Sequence, residues 1–184
     1  MTYYGAKELA ASFRTVRGNT IKIAEESPED KYNFSAAPGV RTVAQTLTHI
    51  AFGTKFNEQV NRIERRSSMV GFDFPKFVRE NAPEMEKPRT KGEILTLLRE
   101  RGDDFAGWLE SLSDDFLGES IAMPPGGSPP SRTRFDMLLS VKEHEMHHRA
   151  QLMVIERMIG ITPHLTREMQ ARMAAMQQAA PQRG

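Results

Sequence analysis

His144 and His148 stand four residues apart in the run His144-Glu145-Met146-His147-His148. On a helix this spacing puts both imidazoles on one face, one turn apart, where two ring nitrogens can meet a single ion. Met137, Val141, Leu152, Ile155 and Ile159 extend the same face at steps of three or four, so the two histidines interrupt a stripe meant for the core. A similar row, His49, Gly53, Phe56, Val60 and Ile63, occurs earlier, with Gly53 leaving space beside His49. Burying an imidazole without a partner costs about 1–3 kcal/mol. Three on inward faces must therefore be satisfied together, which one metal ion would do. Hydrogen-bonded core histidines are the alternative, most of all for His49 taken alone.

The chain has no cysteine. Disulfides, thiolate metal sites and cysteine nucleophiles are thereby excluded, leaving His, Asp and Glu as ligands and bases. The run from His144 to His148 also satisfies H-E-x-x-H, the zinc-protease pattern in which Glu is the general base. The extended pattern is not met, because Gln151 and Val154 stand where it needs Gly and His. No aromatic and β-branched edge strand is present to hold a peptide. Glu168 could be offered as a third ligand, but it lies beyond Gly160 and Pro163 with no motif around it. Glu145 lies about 100° around the helix from His144 and is open to three roles: partner to a ligand, general base, or solvated or inter-subunit residue. His147 reads as a hydrogen-bonded flank of the row. Arg149 and Gln151 could orient a ligand or a second subunit.

These residues need helices to position them. From Ala6 to Glu26, Leu9, Phe13, Val16, Thr20 and Ile23 recur with helical period. Ser27-Pro28 breaks the pattern, and Asp30 to Arg41, with Pro38-Gly39, reads as an irregular connector. A second helix is predicted from a Thr42 N-cap to about Arg66. Gly71, Pro75, Pro83 and Pro88 make Met69 to Arg89 a long loop with aromatic anchors and at most a short helix around Phe77. Thr90 and Glu93 have capping-box spacing and open a third helix through Ile94, Leu97, Leu98, Phe105, Trp108 and Leu112. After Pro124 to Pro130, Ser131 to Ile159 is the longest helical pattern, closed by Gly160 and Pro163. Leu165, Met169, Met173 and Met176 then share a face, enough for a fifth helix that docks on the bundle or on a second subunit.

The fold class is all-α: an antiparallel four-helix bundle with long loops and room for a fifth, C-terminal helix. One domain is expected over 1–163, followed by an amphipathic tail over 164–184. The 25 Lys and Arg balance 24 Asp and Glu to a formal charge of +1, which gives no reason to expect nucleic acid as a partner. With no basic-then-apolar N-terminal segment and no membrane-length apolar run, a cytoplasmic location is expected, without membrane association.

Two segments resemble the DinB-like family. Ala37-Pro38-Gly39-Val40-Arg41-Thr42-Val43-Ala44-Gln45-Thr46-Leu47-Thr48-His49-Ile50-Ala51 is similar to the start of that family's second helix. Leu138-Leu139-Ser140-Val141-Lys142-Glu143-His144-Glu145-Met146-His147-His148-Arg149-Ala150-Gln151-Leu152 is similar to its final H-x-x-x-H-R-x-Q-L helix. The two motifs come in the right order, about ninety residues apart, and the similarity spans essentially residues 1–163. The resemblance implies a four-helix bundle, often a homodimer, with one divalent transition metal, zinc or nickel, on His49, His144 and His148 and one coordination position open. Imidazole equally accepts iron or manganese. The chain departs from the family at Arg41, where many members carry Trp, at what would be the pocket mouth.

Characterised members of this family include transferases and isomerases in which the metal activates a low-molecular-weight thiol. The resemblance therefore implies a metal-dependent transferase or hydrolase that turns a thiol cofactor or water on a small-molecule substrate. A non-catalytic metal-binding bundle of the stress response is the alternative, and a zinc protease the third reading. A fourth protein ligand would favour the structural role. An open position facing a pocket under the 69–89 and 120–134 loops would favour catalysis.

Overall fold

The computed structural model describes residues 4–179; residues 1–3 and, from the expected tail, 180–184 lie outside them. The first periodic segment forms α1 (Ala6–Glu26) and buries Leu9, Phe13, Val16, Thr20 and Ile23, the residues its spacing marked. Thr42 caps α2 (Val43–Phe52): its hydroxyl accepts from Gln45 N–H, and its own N–H donates to the Gln45 side chain. The path then bends at Gly53 and continues through α3 (Lys55–Asn57) and a π turn (Glu58–Ile63). The single long second helix expected to about Arg66 is thus a broken one.

The 69–89 segment differs from expectation. Instead of a loop it holds α4 (Phe74–Glu86), thirteen residues long. Asp73 caps it by accepting from Lys76 N–H, and Pro75 falls in the first turn, where its missing N–H is no loss. Pro83 lies inside, but no residue of α4 is buried, so water can satisfy the carbonyl that proline leaves unpaired. The predicted capping box of Thr90 and Glu93 opens α5 (Lys91–Glu110). A short α6 (Asp114–Gly118) follows, then a hairpin of β1 (Ser120–Ala122) and β2 (Ser131–Thr133) that brackets the Pro-Gly run. The sequence signals neither, because three-residue strands are too short to show an alternation. The longest pattern forms α7 (Arg134–Met158), and the tail forms α8 (His164–Ala179).

The helices α1, α2, α5 and α7 form the expected four-helix bundle. Its connectivity sets parallel as well as antiparallel neighbours side by side. Arg14 of α1 pairs with Glu110 at the far end of α5, and Arg99 near its start pairs with Glu25, so α1 and α5 run antiparallel. The α2 and α7 strands of the bundle are also antiparallel, His49 facing His144 and the later Asn61 facing the earlier Arg134. The other neighbours, α1 with α7 and α2 with α5, run the same way. One apolar cluster packs Leu9 and Phe13 of α1 against Phe105, Leu138 and Val141; a second packs Ile23, Leu47, Ile50, Ile94, Leu98 and Leu152. The polar centre of the molecule lies between them. No helix among the described residues is long and apolar enough to cross a membrane.

Candidate metal centre

The antiparallel crossing of α2 and α7 brings together three residues that the sequence singled out. His49 Nε2 lies 3.0 Å from His144 Nε2, and His148 Nε2 lies 3.1 Å from the same atom. One ligand nitrogen from each ring falls within 4.8 Å of the other two. Nitrogens around a tetrahedral ion at about 2.05 Å would be roughly 3.3 Å apart; the two spacings to His144 are already close to that value, and the ligand atoms as a group span up to 4.8 Å. Gly53 supplies the approach, but for a different neighbour than its spacing suggested. A Cβ at position 53 would lie 3.0 Å from His144 Nδ1, so it is His144 that the glycine admits.

Hydrogen bonding favours lone pairs at the centre. Gln151 bridges two histidines, its Oε1 2.9 Å from His148 Nδ1 and its Nε2 3.1 Å from His147 Nε2. With Gln151 accepting, His148 carries its proton on Nδ1 and turns an unprotonated Nε2 inward. His144 Nε2 then meets two nitrogens at once, and at most one of these contacts is a well-formed hydrogen bond. A cation accepting all three Nε2 lone pairs removes the conflict at His144; His49 Nδ1, buried without a partner, lies outside that exchange. The protonation states agree: burial, then Arg41 and the neighbouring rings, push His49 down to about 3, and burial with His148, His147 and Arg41 pushes His144 down to about 4. Burial also lowers His148, against the Gln151 bond. The rings are neutral at neutral pH, the form that binds metal.

Glu145 is elsewhere. It is 1% exposed, and its carboxylate accepts from Arg17 Nε at 2.9 Å and Nη2 at 2.9 Å in a forked ion pair. Arg17 also donates to the carbonyls of Leu98 and Ile50, tying α1 to all three other bundle helices. Gly102 makes room for this arginine, since a Cβ there would lie 2.8 Å from its Cγ. The protease reading requires Glu145 to face the ion's open position, and the solvated or inter-subunit reading requires it at the surface. It does neither. His147 is exposed and hydrogen-bonded to Gln151, as its flank position suggested, while Arg149 is half-buried with an unpartnered Nε. Glu168 pairs with Lys22 on the surface, away from the histidines.

A cavity of about 500 Å³ opens beside His49 and His144. Its walls come from the end of α2, from α3 and α4, and from Ser140 and Val141 of α7. The 69–89 segment roofs it, as expected, but none of its lining residues comes from 120–134. Sequence reasoning missed Arg17, Lys55 and the aromatic lining. For Phe74 and Phe77 the signal was the aromatic density of the 69–89 segment, and for Phe56 its place on the His49 row; Lys55 carried none.

Residues 12–152 match the family model of the DinB superfamily. The chain belongs to the DinB superfamily. The DinB resemblance read from the two histidine-bearing segments is borne out for family and fold. YjoA, a DinB-like protein of Bacillus subtilis, superposes with a TM-score of 0.61 at 20% identity, over 84% of this chain and 93% of that one. YfiT of Bacillus subtilis, described as a probable metal-dependent hydrolase with an unusual four-helix bundle topology, gives 0.64 at 16% identity over 88% and 91%. An uncharacterized protein of Clostridium difficile 630 gives 0.62 at 15% identity over 85% and 98%. At these identities the likeness is one of fold. No curated protein matches this DinB chain in sequence.

Proposed function

We propose that His49, His144 and His148 hold one divalent metal ion, zinc or nickel first, and that the chain is a metal-dependent hydrolase or thiol transferase acting on a small molecule. The observation that carries this is the convergence of three neutral imidazole nitrogens, two of the contacts at 3.0 and 3.1 Å, at the wall of a cavity. When bound, such an ion supplies Lewis acidity that lowers the pKa of a water or low-molecular-weight thiol in its open position. The chain's own residues do the rest. Gln151 fixes the tautomer of His148, and the cavity leaves space for a substrate next to the ring nitrogens. The name carried by YfiT agrees with this reading.

The cavity favours catalysis over a non-catalytic stress-response bundle, because an ion that only locked helices would need no such space and would favour a fourth protein ligand. Among the described residues the ligand group is the three histidines alone. We also infer a cytoplasmic homodimer joined through the outer faces of α7 and α8, where Val154, Met158, Met169 and Met173 are each more than half exposed; sedimentation at micromolar concentration tests it, a monomer ending the inference.

Plasma mass spectrometry of untagged wild type beside His49→Ala is the deciding experiment. About one transition metal per wild-type chain and near none in the variant is the expected result. A wild type that stays metal-free after reconstitution with zinc and nickel would remove the basis for the reading.

A further inference from the structure

The charge of the cavity lining is one-sided. Arg41 and Lys55 border the cavity, and no Asp or Glu does, in a chain whose acids and bases otherwise balance. Neither cation is neutralised by a carboxylate. Arg41 makes no hydrogen bond or ion pair among the described residues, and its charge reaches all three histidines. Lys55 Nζ donates to Asn81 Oδ1 at 2.9 Å and sits 5.1 Å above the Phe52 ring. The two acids whose charge reaches it, Glu58 and Glu84, are held by Arg101 at 3.1 Å and by Arg89 at 2.9 Å. An ammonium half-buried against an amide and an aromatic face, with a free guanidinium across the same cavity, is an anion site in want of its anion.

The remaining lining is apolar and aromatic. Phe56 meets Phe74 and Phe77 edge to face, at 5.7 and 5.8 Å, and Phe74 stacks on Phe77. Phe74 is 53% and Val78 47% exposed, and both line the cavity. Apolar surface is thus left uncovered around a concave space, with rings oriented to receive another ring. At about 500 Å³ the cavity is large enough for a one- or two-ring ligand.

We propose that the cavity binds small aryl carboxylates, the ring among Phe56, Phe74 and Phe77 and the carboxylate on Lys55, with the charge of Arg41 adding to the attraction from its own side of the cavity. This names a substrate class for the enzyme proposed above and rests on that reading for its catalytic meaning. The binding preference itself belongs to the side chains. Arg41, a cavity-lining cation whose charge also reaches the three histidines, acts as a charge selector.

The test is calorimetric titration with 2-naphthylacetate, its neutral analogue 2-(2-naphthyl)ethanol, and acetate. The protein is used as purified and again after dialysis against chelator, with the metal content of each sample measured. Naphthylacetate should bind at least about tenfold more tightly than either analogue, in both preparations. Lys55→Met should remove most of that preference and Arg41→Gln part of it, both leaving the alcohol unchanged, and Phe77→Ala should weaken both aryl probes alike. Equal binding of acid and alcohol, or binding of neither, overturns the proposal. So does a preference that survives both cation variants and disappears with the metal, since the ion alone would then hold the carboxylate. A wild type that is metal-free as purified and takes up no zinc or nickel on reconstitution, yet keeps the preference, leaves this proposal standing and sinks the metalloenzyme reading. Metal-loaded protein without the preference does the reverse.

Discussion

Glu145 and His148 lie within one turn of α7 and are nearly as buried, 1% and 8% exposed, yet their surroundings are opposite. Around Glu145 the donors and acceptors are matched: a forked guanidinium meets a carboxylate, and the donors left over find the Leu98 and Ile50 carbonyls. Around His148 the groups are alike and compete, three imidazoles turning ring nitrogens at one point. A polar cluster that satisfies itself holds helices together. One that cannot, and whose lone pairs converge, is built for something from outside. The end of α7 supplies a third case. Both Glu156 oxygens are buried without partners, as are Glu26 Oε2 and His164 Nδ1 close by, but these atoms do not form a ligand group. Lack of partners without convergence gives an energetic liability and no site.

The largest effect should come from breaking the matched cluster. Glu145→Ala or Arg17→Met leaves an uncompensated buried charge and should cost about 3–5 kcal/mol in denaturant unfolding, most of it recovered in an Arg17→Met/Glu145→Leu double variant. Single variants within about 1 kcal/mol of wild type would show that this pair does not hold α1 to the bundle.

Next in size is the liability at Glu156. Burial first, then Glu26, raise its pKa from 4.5 to about 7, against Arg167 and Arg157. Between those values the folded chain holds a proton that the unfolded chain has lost, so this group's contribution to stability declines as pH rises from about 4.5 to about 7. Glu156→Gln should therefore equal wild type near pH 4.5 and exceed it at pH 8 by up to about 3 kcal/mol, read as a melting-temperature difference that grows with pH. A difference independent of pH would mean that the carboxyl is already ionised when folded.

The smallest change sharpens the unmatched cluster. Gln151→Leu removes the acceptor that sets the His148 tautomer and should weaken zinc binding about 10–100-fold in a competition titration, with folding intact. Unaltered affinity would mean that His148 orients itself.

What the sequence disclosed follows the same division. Spacing of four on α7 and the Thr42 and Thr90 caps are local: His144 and His148 share a face, and both helices start where the caps put them. The partner of Glu145 lies 128 residues away on α1, a pairing that no periodicity encodes, so H-E-x-x-H left the glutamate's direction open. α4 was hidden for a different reason: its prolines count as breakers by composition, yet one occupies the first turn and the other faces water. Gly53 was noticed as space, but the ring that fills it could be known only from the crossing of α2 and α7.

His49 and His144 are 95 residues apart along the chain. An ion joining them would close a loop of that length in any unfolded chain that kept it, a restriction worth roughly 4–5 kcal/mol on chain-entropy grounds. Chelation would then act as a denaturant. In a protein with no cysteine, three imidazoles would be doing what a disulfide does elsewhere, as a cross-link that forms and comes apart without any redox step.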